Sequence, residues 1–497
     1  MSTTTRRGVG VLVGVWSGVL VLVATRVQPM MSPDSVTYLA ASQHFREHGQ
    51  LTDFTGKPMT VFGPLYPLLL SPGGASLQWA RVIGAIAAMI ATWSLFAILS
   101  HRVEPLIAIG ASFAFGSSLG LIRVAATVWS EAPYIACSLL ALKILASDEP
   151  TRKRVLSAGT LAGLGFLTRY AGIGLILTGG AVILAGRAQR SRRQTVVDGA
   201  WFLGAAIAAA SFWVVRNLVR TGEALGPRFE GGATEPVSVL ARRPFPALGQ
   251  LVFGDHLTPD QLTTLGVGVV AVIVVGGAKF IRYRPQRPID LAMALYGVTS
   301  IVIPVVARAL TSNDIEYRVM SPTIVPVIYF LAVGAQRYRG KVIAAVGVTA
   351  IAWSSWHGVA MAQDFPHRLG ASSASRAQFS SALYDAIDDL ASSVLVLTNS
   401  PQRVWWQTRR EPTLFAFTRP RAGNSHYPLD GEEMLRVVCL RETYLAWFDG
   451  LANAGKGPYE RRADLTELIN LAVHKSVVGG VLYRLTIRHE QDCAQFR

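Results

Sequence analysis

Up to about residue 360 the chain alternates between long apolar runs and short connections rich in arginine. A helix that crosses a bilayer needs about 20 largely apolar residues. The pattern predicts such segments at 8–25, 79–100, 105–122, 127–146, 156–169, 171–186, 197–215, 264–281, 289–309, 319–336 and 342–359. The two short members, 156–169 and 171–186, are divided by Arg169-Tyr170 and can also be read as one long broken helix. Two regions depart from the rhythm. Met30–Pro72 follows the first apolar run but is too polar to span. It contains a helical run, a loop punctuated by Gly and Pro, and a Pro-Leu-Tyr-Pro corner that includes Tyr66. The region from residue 360 onward is polar and mixed. There, Ser393–Asn399 reads as a buried strand ending in a turn. Pro401–Thr408 reads as a helix with proline at its first position. Leu435–Leu440, Tyr444–Phe448 and Val477–Ile487 read as further strands or short helices.

Charge orients the segments. With Arg6 and Arg7 in the cytoplasm and the spans alternating, the inward connections carry His101-Arg102, Arg152-Lys153-Arg154 and Arg187, Arg190, Arg192 and Arg193. They are followed by Arg282, Arg284 and Arg287, then by Arg337, Arg339 and Lys341. All the basic short loops fall on one side, as the positive-inside bias requires. Merging 156–186 into one span would put the later clusters outside, so the bias supports about eleven spans. The N-terminus is then inside. The first outer loop is 26–78, and Arg123–Ala126, Arg169-Tyr170, 216–263 and 310–318 also face outward. The expected architecture is a polytopic α-helical membrane module at 1–359 and a small extracytoplasmic α/β domain at 360–497. Gly8–Thr25 follows a basic start, as in a signal peptide, but no small-residue cleavage site is clear, so it reads as an uncleaved first span.

Composition agrees. Hydrophobic residues make up 51% and charged residues 16% of the 497, against about 25% charged in soluble domains. The formal charge of +16 would suggest nucleic acid in a soluble chain. Here the arginines lie between spans, where topology and lipid contact account for them. There is no P-loop and no H-E-x-x-H motif, and no C-x-x-C pair among the three cysteines. Cys137 lies in an apolar span. Cys439 and Cys493 lie in the polar C-terminal region, where pairing or two free thiols are both open readings.

Several residues carry candidate chemistry. Asp34, before SVTYLAAS, is a good helix N-cap. A carboxylate there can equally serve as a general base at the membrane surface. Asp53 sits among Thr and Gly and reads as a turn residue. Arg123, Arg169, Arg216 and Arg318 fall at outward ends of spans, where arginine should be depleted. Headgroup snorkelling explains any one of them. Four near one acidic loop favour an anionic, lipid-linked ligand. Glu131, in Trp129-Ser130-Glu131, is costly near a membrane unless functional or paired, and Arg123 or Arg169 is the expected partner. Asp314 and Glu316 read as solvated loop charges. His44 and His48 share a helix face at metal-binding spacing but lack a third ligand, so they read as surface residues.

Five segments resemble the GT-C superfamily of polyprenyl-phosphate-sugar-dependent glycosyltransferases, in particular the protein mannosyltransferase-like and aminoarabinose-transferase-like bacterial proteins. They are PDSVTYLAAS with GPLYPLLL, VWSEAPYIACSLLALKIL, AGLGFLTRYAGIGL, WVVRNLVRTGEALG and EYRVMSPTIVPVI, spread over residues 30–336. The segment VLVLTNSPQRVWWQTRR resembles the extracytoplasmic domain of many such proteins. The resemblance implies an inverting transfer from a lipid-phosphate sugar to a glycan, lipid or protein hydroxyl at the extracytoplasmic face of the plasma membrane. It implies Asp34 as the base and Arg169 and Arg318, then Arg216, as phosphate contacts; beside these, Arg123, Tyr170, Glu131 and Tyr66 are read as further candidate substrate-site residues. No cofactor is expected. A divalent metal is compatible with the chemistry, but no ligand cluster demands one. Asp34 is followed by Ser35 where mannosyltransferase members carry Asp-Glu, which weighs against protein O-mannosylation. A flippase for lipid-linked saccharides and a non-enzymatic envelope assembly protein are the competing readings.

Overall fold

The computed structural model describes residues 2–145, 151–185, 191–226, 236–283, 288–311, 314–338, 341–365, 381–414, 431–448, 469–488 and 493. The predicted inward arginines 187, 190, 284, 287 and 339 lie outside the described residues. The chain forms two compact units. One comprises Met1–Pro29, Phe62–Leu70 and Ser76–Pro366, and the other Met30–Val61, Ser71–Ala75 and His367–Arg497. This division differs from the expected one. Most of the 26–78 loop belongs with the C-terminal region, while its two ends and the corner around Tyr66 belong with the helices.

In chain order the elements begin with α1 (Thr3–Ala24), α2 (Pro33–His48, in the second unit), α3 (Leu65–Leu70), α4 (Leu77–Leu99), α5 (Pro105–Gly116) and α6 (Leu119–Ala126). They continue with α7 (Glu131–Leu145), α8 (Arg152–Thr168), α9 (Ile173–Ala185), α10 (Arg192–Thr221), α11 (Val237–Arg242) and α12 (Pro244–Phe253). The helical unit closes with α13 (Pro259–Tyr283), α14 (Pro288–Leu310), α15 (Tyr317–Met320), α16 (Ile324–Tyr338) and α17 (Lys341–Asp364). Each predicted apolar segment is helical over most of its described residues. Among the described residues six helices are long and apolar enough to cross a membrane, and a seventh span arises if the bent pair α5–α6 is one.

Two boundaries depart from expectation. The segment 105–122 is not one straight span: α5 and α6 meet at a 44° bend. Ser118 makes the break, its Oγ accepting from Leu121 N at 3.4 Å and donating to Phe115 O at 2.7 Å. Arg123 therefore lies in α6 rather than in a turn, and the turn moves to 127–130. By contrast, 156–169 and 171–186 are two helices, separated by extended Arg169 and a 3-10 turn at Tyr170–Gly172.

Two features order this unit. First, Gly159 and Gly163 on α8 lie one turn apart, and a Cβ on either would meet the α10 backbone, at 2.3 Å from Phe202 O and 2.6 Å from Ala206 O. Small residues at this spacing let helix backbones touch. The α8–α10 register carried upward sets Tyr170 against Trp213. Second, Asp290 at the start of α14 is 3% exposed. It accepts from Arg102 Nε at 3.1 Å and Nη2 at 2.6 Å, and from the Tyr329 hydroxyl at 2.5 Å. A buried carboxylate needs such partners, and this one joins the α4–α5 connection to α14 and α16.

The second unit carries α18 (Ser381–Asp388), β1 (Leu395–Thr398), α19 (Pro401–Thr408), β2 (Thr413–Leu414), α20 (Gly431–Leu440), β3 (Thr443–Phe448), β4 (Ile469–Val477) and β5 (Gly480–Ile487). The sheet order is β2-β1-β3-β5-β4. β1 runs parallel to β2 and β3, and β5 runs antiparallel to β3 and β4. Side chains alternate between faces along a strand. Val396, Tyr444, Ala446 and Leu482 pack with Leu383 and Tyr384 of α18. Leu397, Leu445 and Tyr483 pack with Met434 and Val438 of α20. Cys439 and Cys493 are disulfide-bonded, with Cα atoms 5.5 Å apart, which resolves the choice the sequence left open. Cys137 is free.

Candidate active site

In the helical unit, the four arginines singled out by topology are joined by a continuous chain of contacts. The 127–130 turn, ending at Glu131, is its centre. Glu131, 2% exposed, opens α7 and forms an ion pair with Arg169. Two residues earlier, Trp129 receives the Arg318 guanidinium over its ring at 5.2 Å and lies 6.3 Å from the Tyr317 ring. Arg123 stacks on the other ring of this cluster, 4.3 Å from the Tyr317 centroid. Of the two partners expected for Glu131, the structure selects Arg169. Arg123 instead meets Asp255 with both terminal nitrogens, one at 3.2 Å to Oδ1. Gln250 Nε2 also donates to Asp255 Oδ1, at 2.6 Å. Asp255 carried no local sequence signal, because its role depends on how the 216–263 connection returns over α6.

On the far side of Arg169, the Tyr170 hydroxyl makes three bonds. It accepts from Trp213 Nε1 at 2.8 Å and Asn217 Nδ2 at 3.2 Å, and donates to Phe62 O at 3.2 Å. Asn217, 0% exposed, also accepts from Arg216 Nη1 at 3.1 Å, and the Arg216 guanidinium lies 4.2 Å from the Trp213 ring centroid. Asn217 and Trp213 were not predicted as site residues, although both stand in the WVVRNLVRTGEALG segment. The Phe62–Leu70 corner approaches closely because Gly63 has no side chain: a Cβ there would stand 2.1 Å from Leu167 O. Tyr66 on this corner is 2% exposed.

Arg216 and Arg220 line an open cleft of about 370 Å³ with Ser211, Phe212, Val215 and Val219. Phe212 and Val219 are 78% and 80% exposed. Two cations one helical turn apart repel each other, and the apolar residues beside them suit hydrocarbon. The cleft therefore fits an amphiphile with an anionic head.

Arg318 also donates from Nε to Glu316 Oε2 at 2.9 Å, and the Glu316 side chain is 52% exposed. Asp314, 63% exposed, lies 3.3 Å from Arg308. Both acids are thus solvated, as expected.

In the second unit, Asp34 is not the cap of α2. Ser32 holds that position, Pro33 is first in the helix, and Asp34 follows in the first turn. Ser32 N donates to Ser35 Oγ at 3.0 Å, closing the entry without the Asp34 carboxylate. Asp34 is half-buried. Asp53 makes the expected turn, its Oδ1 accepting from Thr55 N and Oγ1, each at 2.8 Å. His44 and His48 do not behave alike: the side chains are 12% and 68% exposed, so His44 is not the surface residue expected. Among the described residues no group of three or more His, Cys, Asp or Glu is placed to hold a metal ion.

No family model matches the chain, and no curated protein matches it in sequence. Solved structures do match. ArnT from Cupriavidus metallidurans bound to undecaprenyl phosphate superposes with a TM-score of 0.63 at 12% identity, over 97% of this chain and 98% of that one. The archaeal oligosaccharyltransferase AglB from Archaeoglobus fulgidus, in complex with an inhibitory peptide and a dolichol-phosphate, gives 0.54 at 12% identity, over 95% and 74%. The mycobacterial arabinofuranosyltransferase AftD gives 0.56 at 14% identity, over 99% of this chain and 42% of that one. These likenesses establish the fold: the chain shares the architecture of these membrane proteins.

Proposed function

We propose that the protein is a membrane glycosyltransferase that moves a sugar from a polyprenyl-phosphate donor to a hydroxyl of a cell-envelope glycan, lipid or protein. The observation that carries this reading is the gathering of Arg123, Arg169, Arg216 and Arg318 around the 127–131 segment and Tyr170. Isolated snorkelling arginines need no common turn. A leaving lipid phosphate does need several fixed cations, because its charge develops as the glycosidic bond breaks.

In the reaction, the acceptor oxygen attacks the anomeric carbon and its proton passes to the Asp34 carboxylate. The bond from the anomeric carbon to the phosphate oxygen breaks, and the electron pair leaves with the polyprenyl phosphate. A phosphate departs as an anion, so no strong general acid is needed. Arg216, beside the cleft, and Arg318 supply phosphate contacts. Arg169 contributes too: a guanidinium has five donors, and a bidentate pairing with one carboxylate occupies two of them. Tyr170, whose hydroxyl makes three protein bonds, and Tyr66, which is buried, serve as positioning residues. The outward face, with the N-terminus inside and the disulfide-bonded domain outside, is where this transfer takes place in the proposal. The disulfide supports that placement, since such bonds persist in oxidising compartments.

The test is to incubate the purified protein with a panel of polyprenyl-phosphate sugars and envelope acceptors, and to follow release of polyprenyl phosphate. One donor is expected to be consumed, and Arg216→Ala should raise its KM by about tenfold, equivalent to about 1.4 kcal/mol of lost phosphate contact. Movement of an intact lipid-linked saccharide across vesicles without sugar release would support the flippase reading instead.

A further inference from the structure

We infer that His44 is a positioning residue for Asp34, holding the helix that bears the carboxylate in a clasp built from the 51–59 turn and from Trp405 and Glu411. The inference rests on the reading of Asp34 as the base.

The clasp joins α2 and the neighbouring 51–59 turn to a segment more than 300 residues later in the chain. His44 lies toward the C-terminal end of α2. Its Nδ1 is 2.7 Å from Thr52 Oγ1 and 3.2 Å from Thr52 O. Its ring meets Trp405 edge to face, with centroids 6.2 Å apart and planes at 86°. Its Nε2 is 3.8 Å from Glu411 Oε1. Trp405 is 1% exposed, so the surface that receives the imidazole is fixed in the domain core. Glu411 is in turn pressed against the turn. Gly56 has φ +75°, and a Cβ on it would lie 2.6 Å from Glu411 Oε2. The turn is itself stiff, closed by the Asp53 bonds to Thr55 and by Met59 N donating to Leu51 O at 2.9 Å. His48, one turn further on, is 68% exposed and takes no part in the clasp.

The same half of α2 is pinned from another direction, where Ser42 Oγ donates to Gly74 O at 2.7 Å. Between clasp and carboxylate, Val36, Leu39, Ala40 and Ala41 are 0% exposed. A helix packed in this way moves as a rod. Asp34 and His44 are separated by about 15 Å along it, at about 1.5 Å per residue. Slippage at the clasp therefore appears at the carboxylate. A misplacement of about 1 Å at a reacting group can cost about a hundredfold in rate. The clasp also gives the C-terminal region a catalytic use, because it supplies two of the groups that hold the helix of the first loop.

The experiment uses the full-length protein in nanodiscs, with the donor identified from the panel. His44→Ala is expected to lower kcat about tenfold with donor KM within about twofold, because the phosphate-binding arginines are untouched. His44→Asn, which keeps a polar atom where Nδ1 meets Thr52, should restore most of the rate. Thr52→Val should lower kcat about threefold. Intact Cys439–Cys493 linkage on a non-reducing gel reports that the domain is folded in each variant. Wild-type kcat in His44→Ala, or equal losses in His44→Ala and His44→Asn, overturns the inference. If His44→Ala does not fold, Thr52→Val decides in the same way. Asp34→Asn measured in parallel separates the claims: full activity there sinks the base assignment, whereas an inactive Asp34→Asn beside a fully active His44→Ala sinks the positioning role alone.

Discussion

Arg169 and Glu131 are ion-paired where the break between α8 and α9 meets the first residue of α7, with side chains 18% and 3% exposed. The pair fixes the arginine at this break. It also ties the α8–α9 break to Trp129, and through Trp129 to Arg318.

Glu131→Ala leaves the Arg169 charge without its buried partner. Removing one member of such a pair costs roughly 1–3 kcal/mol, more if the cation stays buried. The thermal midpoint in detergent should fall accordingly, and Glu131→Ala with Arg169→Ala should recover part of the loss. A double variant no more stable than Glu131→Ala alone would mean that the two residues do not act as a pair.

Asp290 receives three hydrogen bonds from Arg102 and Tyr329. Tyr329→Phe removes one of them and should cost about 1 kcal/mol. Asp290→Ala strands Arg102 and the tyrosine hydroxyl together and should cost about 3 kcal/mol. Unfolding of the detergent-solubilised protein compares the two, and equal costs would show that the carboxylate is not the hub.

The Cys439–Cys493 bridge closes a separation of 54 residues. Bridges of this span typically contribute about 2–4 kcal/mol. Replacing both cysteines by serine should make the C-terminal region more protease-sensitive while the helical unit keeps its resistance. Free thiols on both cysteines of the protein isolated from cells would count against an outward-facing domain.

Much of this was legible in the residues. Apolar runs of membrane length marked the helices, because a bilayer leaves few other solutions for the backbone. Arg169-Tyr170 marked the α8–α9 break because a charge cannot sit unpaired at mid-span. Glu131 announced a partner for the same reason. What escaped were relationships that depend on the path of the chain. Asp255 reaches Arg123 only because α12 folds back toward α6, and Asp290 reaches Arg102 across the bundle. The α5–α6 bend was hidden because Ser117 and Ser118 are apolar enough in context to pass as span. Asp34 was read as a possible cap, but Pro33 shifts the helix start so that Ser32 takes that position. His44 looked like a surface residue because nothing local announces Trp405, more than 300 residues later in the chain.

The central claim is that Asp34 accepts the proton of the attacking hydroxyl during sugar transfer. The direct measurement is donor turnover by Asp34→Asn, beside donor binding by the same protein. Asparagine keeps the size of the side chain but cannot take the proton. The account predicts transfer at least a hundredfold slower, a loss of the size general-base catalysis contributes (about 10²–10⁴), with donor affinity unchanged. Transfer by Asp34→Asn at the wild-type rate would contradict it.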